Sequence, residues 1–308
     1  FAIELAAARI RILTPIKMLE KMSDRFKLLT SRGGVNQTKS TLRGMLDSSW
    51  NLLADWEESA LAQLSAFEGG FDLEAAEGIL ELSRYDEAPW TLDTVQSLVD
   101  KSLVRTIGDD RFDLLMSVRE YAAEKLSDRS AEEEVYERHG AYYANFGSQE
   151  AIESLYSKNG SHAREALFSE FDNLLAALHR GISRDDAIVV TAALRALMEI
   201  FERRGPIGMT AELCRKVLET VTLTSEQRGD VFFIRGCAER LMGHYHACIE
   251  SFNKSLEVRR KGENIRLVGQ VQAWLARSLI RVGKDDEAAE AIRESEAIVQ
   301  QTKSIGDM

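Results

Sequence analysis

Only three prolines occur in 308 residues, alongside twenty glycines, so few points interrupt regular structure. The three cysteines, Cys214, Cys237 and Cys248, stand isolated. An odd number without framework spacing excludes a disulfide scaffold and fits a reducing cytoplasm. No run of about 18 uncharged apolar residues is present, so no membrane span is expected. Glu4, Arg9 and Arg11 break the opening apolar run, which is not the pattern of a signal peptide. No phosphate-cradling G-x-x-x-x-G-K-[ST] stretch occurs, and no Ser-His-Asp spacing signature stands out. Positive charge is in deficit: 39 Lys and Arg against 50 Asp and Glu give a formal net charge of -11. That balance argues against nucleic acid as the main partner of the whole chain.

What is present favours helix. Ala, Leu, Glu and Arg dominate. A hydrophobic fraction of 44% with 29% charged residues is ordinary globular chemistry, and the length suggests two or three domains. Ala2 to Leu13 reads as a helix, and Thr14-Pro15 restarts the chain as a cap and first helical residue. The polar stretch from Ser31 to Ser40 is a loop and a candidate boundary. Beyond it, apolar spacing predicts a helix through Leu46 and Trp50, another from Trp56 to Phe67, a third capped by Asp72 and a fourth capped by Thr91. Two short apolar runs around Gly108-Asp109-Asp110 predict a β-hairpin, followed by a helix from Ser117 to about Leu126. Short helices closed by a hairpin make a winged helix-turn-helix. Glu132 to Tyr156 reads as one long or broken helix, Tyr156 to His162 as a loop, and the next helix begins near Phe171.

The last third repeats. Gly243 aligns with Gly283, Cys248 with Ala288, Phe252 with Ile292 and Ser255 with Ser295, a period of 40 residues, and Gly205 marks a weaker earlier copy. One helical hairpin cannot bury its own apolar face, so neighbours stack into a solenoid. The expected fold is therefore mainly α: a small helical domain over 1–39, a winged-helix domain over 40–128, and a helical linker with hairpin repeats over 129–308.

FAIELAAARIRILTP, LLADWEESALAQLSAFEGGFDLEAAEGIL, LVDKSLV, SVREYAAEKL, ERHGAYYANF and EFDNLLAAL follow one another in this order. Together they resemble the C-terminal part of bacterial STAND proteins, the multidomain signal-transduction ATPases. Gly236, Gly243, Phe252 and Ala288 also resemble the tetratricopeptide consensus, with Glu239 where an aromatic is usual. The resemblance implies an upstream nucleotide-binding core as partner, ATP or ADP with Mg on that core in the intact protein, and no cofactor on this chain. Phe1 stands inside an apolar helical pattern, as expected of the cut end of a longer protein. Many relatives sense nucleotide phosphates with a Met-His-Asp triplet in the winged helix. The matching positions here are Leu114, Leu115 and Met116, so that role does not carry over.

Four groups of residues merit weighing. The helix from Thr91 to Lys101 could enter a DNA groove, but residues 40–126 hold 7 basic and 18 acidic side chains. Packing against protein is the expectation, and DNA-binding transcription regulation is the rival. Residues 1–39 are cationic, 8 basic against 3 acidic: either a face that meets a nucleotide-binding core or its phosphates or, the favoured reading, a solvated helix face. His244, His246 and Cys248 lack a fourth ligand nearby for structural zinc, and no metal is expected. In tetratricopeptide-like solenoids the first helix of each hairpin lines the concave groove. That implies a partner site at Phe233, Arg240 and Leu241, then Ala273, Arg277, Ile280 and Arg281, with Arg195 and Arg203 from the weaker copy. Recurring arginine suits an acidic peptide or an acidic part of the parent protein. The competing reading pairs these arginines with Glu199, Glu202 and Glu239. The chain is thus expected to be a cytoplasmic, non-enzymatic signalling segment whose repeats bind a protein or peptide.

Overall fold

The computed structural model describes residues 42–108, 110–158, 160–262 and 264–306. The helices expected before Thr41, the small helical domain and its cationic face lie outside these residues, as does Asp109 of the hairpin turn. Among the described residues the chain is helical apart from one hairpin, and it forms two compact units: residues 42–66 with 70–135, and 67–69 with 136–306.

The first unit holds α1 (Leu42–Trp50), α2 (Asp55–Leu64), α3 (Leu73–Ile79), α4 (Thr91–Asp100), β1 (Arg105–Ile107), β2 (Arg111–Asp113) and α5 (Met116–Asp128). Its core is the inward stripe of each helix: Leu61 and Leu64 of α2, Ile79 of α3, Val95 and Leu98 of α4, Val118 and Leu126 of α5, all buried. Each such side chain contributes about 1.5–3 kcal/mol when taken from water. Trp50 and Tyr121 meet edge-on at 5.7 Å, and the Tyr121 hydroxyl donates to Asp47 at 2.7 Å. Asp72 caps α3 as expected, its Oδ1 accepting from the Ala75 amide at 2.8 Å. The cap expected at Thr91 is not made: Trp90 holds that position without a side-chain hydrogen bond, and Thr91 is the first helical residue. The wing pairs antiparallel with Thr106 opposite Phe112. Phe71 adds a further bridge, exchanging backbone hydrogen bonds of 2.8 and 2.7 Å with Phe112.

The helix α6 (Glu132–Ala144), part of the second unit from Tyr136 onward, is followed by a 3-10 turn (Asn145–Gly147) and α7 (Gln149–Ser154), so the long segment is broken. The break lies where a Cβ on Gly147 would stand 1.9 Å from the Ala192 carbonyl oxygen. Part of the expected loop after Tyr156 is instead helical, in α8 (Gly160–Ser169). Then come α9 (Phe171–Ser183), α10 (Ala187–Arg204), α11 (Ile207–Thr220), α12 (Ser225–Leu241), α13 (Tyr245–Arg259), α14 (Ile265–Arg281) and α15 (Asp285–Gly306). From α10 onward these are hairpins: α12 with α13 and α14 with α15 are the best-packed pairs, and α14 also packs on α13.

The two clearest repeats match in detail. Gly243 and Gly283 close the hairpin turns at φ +77° and +73°, where a side chain would be strained. Ser255 Oγ donates to the Gly229 carbonyl at 2.8 Å and Ser295 Oγ to the Gly269 carbonyl at 2.9 Å, the same bond one repeat apart. Phe252 is fully buried against Gly236, where an added Cβ would lie 2.6 Å from its ring. Its repeat partner Ile292, expected to fill the same kind of gap, is instead 40% exposed. No described hairpin lies beyond α15 to cover it.

Candidate functional site

The fourth helix of the winged unit turns Thr94, Val95 and Leu98 inward. Its outward positions are Leu92, Asp93, Gln96 and Asp100, preceded by Trp90, which is 84% exposed. The Gln96 amide is held by Asp100 at 2.7 Å. Lys101, the sole cation of this segment, places its ammonium on both carboxylate oxygens of the buried Glu57. Glu57 also accepts from Ser97 Oγ at 2.6 Å and from the Ala54 amide at 2.8 Å. Burial pushes its pKa up, but the hydrogen bonds from Lys101, Ser97 and Ala54 outweigh that and hold the carboxyl below its ordinary range. In the wing, Arg105 is held by Asp113 at 2.5 Å. Lys101 and Arg105 are thus engaged by carboxylates of the same unit, while Arg84 and Lys125 lie over the rings of Tyr85 and of Trp50 and Tyr121.

In the repeats the distribution is different. Arg195 donates to the Gly147 carbonyl at 2.7 Å and pairs with Asp230 at 3.2 Å. Arg203 pairs with Glu199 at 2.6 Å, and Arg235 with Glu239 at 2.8 Å. Arg259, buried, shares Asp230 at 2.6 Å. Arg240 on α12 and Arg277 on α14 instead flank one ring: their guanidinium carbons lie 4.4 and 4.7 Å from the centroid of Trp274. Among the described residues neither they nor Arg281 lie within 4.0 Å of a carboxylate, and the buried Arg240 Nε has no hydrogen-bond partner. Each guanidinium gains about 0.5–2 kcal/mol from the indole face. Two like charges on one ring with no carboxylate form a site suited to a planar anion.

The structure therefore brings together two of the sequence-predicted groove residues, Arg240 and Arg277. Arg281, Ile280 and Leu241 are exposed. Phe233 is half-buried, with its ring 5.9 Å from that of Phe252 and the Arg259 guanidinium 5.8 Å from its centroid, so it belongs to the packing of α12 on α13. Arg195 and Arg203 are consumed internally, as the competing reading held for the arginines in general. Trp274 escaped the sequence reading. Its signal was available: an aromatic one turn before Arg277 on the same helix face.

The cysteines are buried thiols, and burial pushes the pKa of each up, away from nucleophilic reactivity. His244 and His246 are exposed, whereas Cys248 is buried with its Sγ 3.2 Å from Ser278 Oγ. Among the described residues no three His, Cys, Asp or Glu side chains are grouped to hold a metal ion. No described helix is long and apolar enough to cross a membrane.

Residues 53–127 match the family model of a winged helix-turn-helix domain. The chain is similar to a "Putative HTH-type transcriptional regulator" of Mycobacterium tuberculosis, 39% identical over 184 residues, which are 57% of this chain and 20% of that protein. It is also similar to an uncharacterised protein of Mycobacterium bovis, 37% identical over 142 residues, 45% of this chain and 36% of that protein. A solved STAND protein with a tetratricopeptide repeat sensor from Pyrococcus horikoshii aligns over 99% of this chain and 60% of its own, with 16% identity and a TM-score of 0.38. The chain spans about a fifth of the length of the curated regulators it matches, and within that span it carries a winged helix-turn-helix domain followed by helical-hairpin repeats.

Proposed function

We propose that this chain is the regulatory and sensor portion of a STAND-type signal-transduction ATPase. The winged helix packs on the upstream nucleotide-binding core and restrains it. The repeats bind an acidic peptide or protein segment through Arg240, Trp274 and Arg277, and that binding releases the restraint. The logic is population shift: the ligand acts by binding the released state more tightly than the restrained one. ATP or ADP with Mg belongs to the core, and this chain alone does not turn over nucleotide. The observation that carries the reading is the contrast in cation use. Lys101 is spent on Glu57, while Arg240 and Arg277 are stacked on an indole without a carboxylate. The second reading, a DNA-binding transcription regulator with a repeat sensor, is favoured by the name of the mycobacterial relatives.

One pair of titrations separates them. Fluorescence anisotropy of the 308-residue chain is measured against duplex DNA and against a poly-glutamate peptide. The expected result is peptide binding that weakens with salt and falls at least about tenfold in Arg277→Glu. Tight, salt-sensitive DNA binding that disappears in Lys101→Ala or Arg105→Ala would establish the second reading instead.

A further inference from the structure

The other side of the same repeats carries a groove of about 590 Å³, within the size range of small-molecule sites. Three helices each contribute one stripe. Asn253, Leu256 and Glu257 come from α13 with Arg260 just after its end, Gln272, Leu275 and Leu279 from α14, and Glu287, Glu290, Ala291 and Glu294 from α15. The deep positions Leu256, Leu275, Leu279 and Ala291 are buried and apolar. The rim is acidic, with four carboxylates against Arg260 and Lys261.

Most of the rim is internally engaged. Arg260 takes both oxygens of Glu294 at 2.9 and 2.7 Å, Lys284 takes Glu287 at 2.9 Å, and Lys261 lies 3.8 Å from Glu257. Glu290 has no ion pair among the described residues. Gln272 is the independent observation. It is 3% exposed, its Nε2 donates to Glu294 at 2.5 Å, and its Oε1 has no hydrogen-bond partner. Turning the amide over would set that oxygen against the Glu294 carboxylate, so the orientation is fixed by its neighbour. A buried carbonyl oxygen left without a donor is costly, and because this one has almost no accessible surface an incoming N–H reaches it with a shift of the Gln272 side chain toward the groove.

We propose that this groove binds a small aliphatic cation, an ammonium or guanidinium on an alkyl chain. The alkyl chain lies along Leu256, Leu275 and Leu279. The charged end is met by Glu290, and an N–H is donated to Gln272 Oε1. An anion is disfavoured by the acidic rim, and a neutral chain gains nothing from Glu290. The site is independent of the arginines around Trp274, so Arg277→Glu leaves it intact.

The test titrates agmatine into the full chain by calorimetry, with amide chemical shifts followed in parallel. Pentanamide serves as the uncharged chain. Saturable agmatine binding with shifts confined to α13, α14 and α15, at least about tenfold weaker in Glu290→Gln and in Gln272→Leu, supports the site. Glu290 is exposed, so its variant keeps the fold, and thermal melts check the Gln272 variant. Absence of saturable binding, equal binding of pentanamide, or unchanged affinity in Glu290→Gln would overturn the proposal.

Discussion

The winged helix and the repeats both tie cations to carboxylates, and they differ at the rings. Lys125 shares Trp50 with the paired Arg129 and Tyr121 with the paired Arg43, whereas neither cation at Trp274 has a carboxylate among the described residues. In the first unit Arg43 holds Glu124, Lys101 holds Glu57, Arg105 holds Asp113 and Arg129 holds Glu58. Apolar residues reach outward as well, with Trp90, Leu92, Leu115 and Met116 each about half or more exposed. In the second unit Arg195, Arg203, Arg235 and Arg259 are internally paired, but Arg240 and Arg277 rest on Trp274. A cation neutralised by its own fold cannot also neutralise a phosphate. The same module name, helix-turn-helix, therefore does not by itself settle what the surface recognises.

The largest effect should come from breaking the first half of this contrast. Glu57→Ala removes the acceptor of Lys101, Ser97 and the Ala54 amide at once. Breaking a buried pair costs about 3–5 kcal/mol, and because Lys101 is 39% exposed the lower end applies. Urea unfolding should show the loss. A change smaller than about 1 kcal/mol would mean that the cations of this unit are not tied down as described.

Next in size is Ala276→Leu. Ala276 is 2% exposed in the stack of hairpins, and overpacking there should cost about 1–3 kcal/mol, read as a lower melting temperature. A neutral outcome would contradict the register that pairs it with Gly236.

That register was legible in the sequence because its determinants are local. Gly243 and Gly283 punctuate the hairpins, Ser255 and Ser295 recur with them, and the wing declares itself by a turn between two short apolar runs. The elements that escaped depend on distant neighbours. Phe71 finds Phe112 across 41 positions and Lys101 finds Glu57 across 44, with nothing local to announce either. The segment from Glu132 to Tyr156 was read as long or broken, but the place of the break, at Asn145–Gly147, answers to the Ala192 carbonyl of another helix. For the candidate site, the arginines were visible by their recurrence. Which of them stay unpaired was not, because Arg195 is claimed by Asp230 from a different helix.

A third, smaller effect is pH dependence in the second unit. His139 is fully buried beside Phe67 and Tyr143, with no hydrogen-bond partner on either ring nitrogen among the described residues. Burial, then the charge of Arg180, pulls its pKa down to about 3, while Asn173 acts the other way. Glu170, with Tyr143 and Asn173 on its Oε2, is the nearby carboxylate of this polar cluster. The unfolded chain takes up a proton near the ordinary value of about 6.5, and the folded chain does not. Stability is therefore full above about pH 6.5 and falls as pH drops toward 3, by at most about 1.4 kcal/mol per pH unit. Denaturant midpoints at pH 7 and 5.5 should differ in wild type, and His139→Leu should flatten the difference.

The smallest effect belongs to the residue next to Ala276, and it is the sharpest test of the second half of the contrast. Arg277 is exposed, and its one described contact is the Trp274 ring at 4.7 Å. Losing an exposed cation–π contact costs about 0.5–1 kcal/mol. Charge reversal also brings a compensation, because Arg277→Glu replaces repulsion with attraction toward Arg240 on the same ring. The two terms oppose each other, so the net change in stability should stay within about 0.5 kcal/mol. Salt screens the compensating attraction more strongly than it screens the cation–π interaction. Arg277→Glu should thus be relatively more stable at low ionic strength than at high, in paired urea titrations. A loss above about 2 kcal/mol would show that Arg277 serves an internal ion pair. Its charge would then be neutralised within the fold, like that of Lys101, and the arginines at Trp274 could not serve a partner.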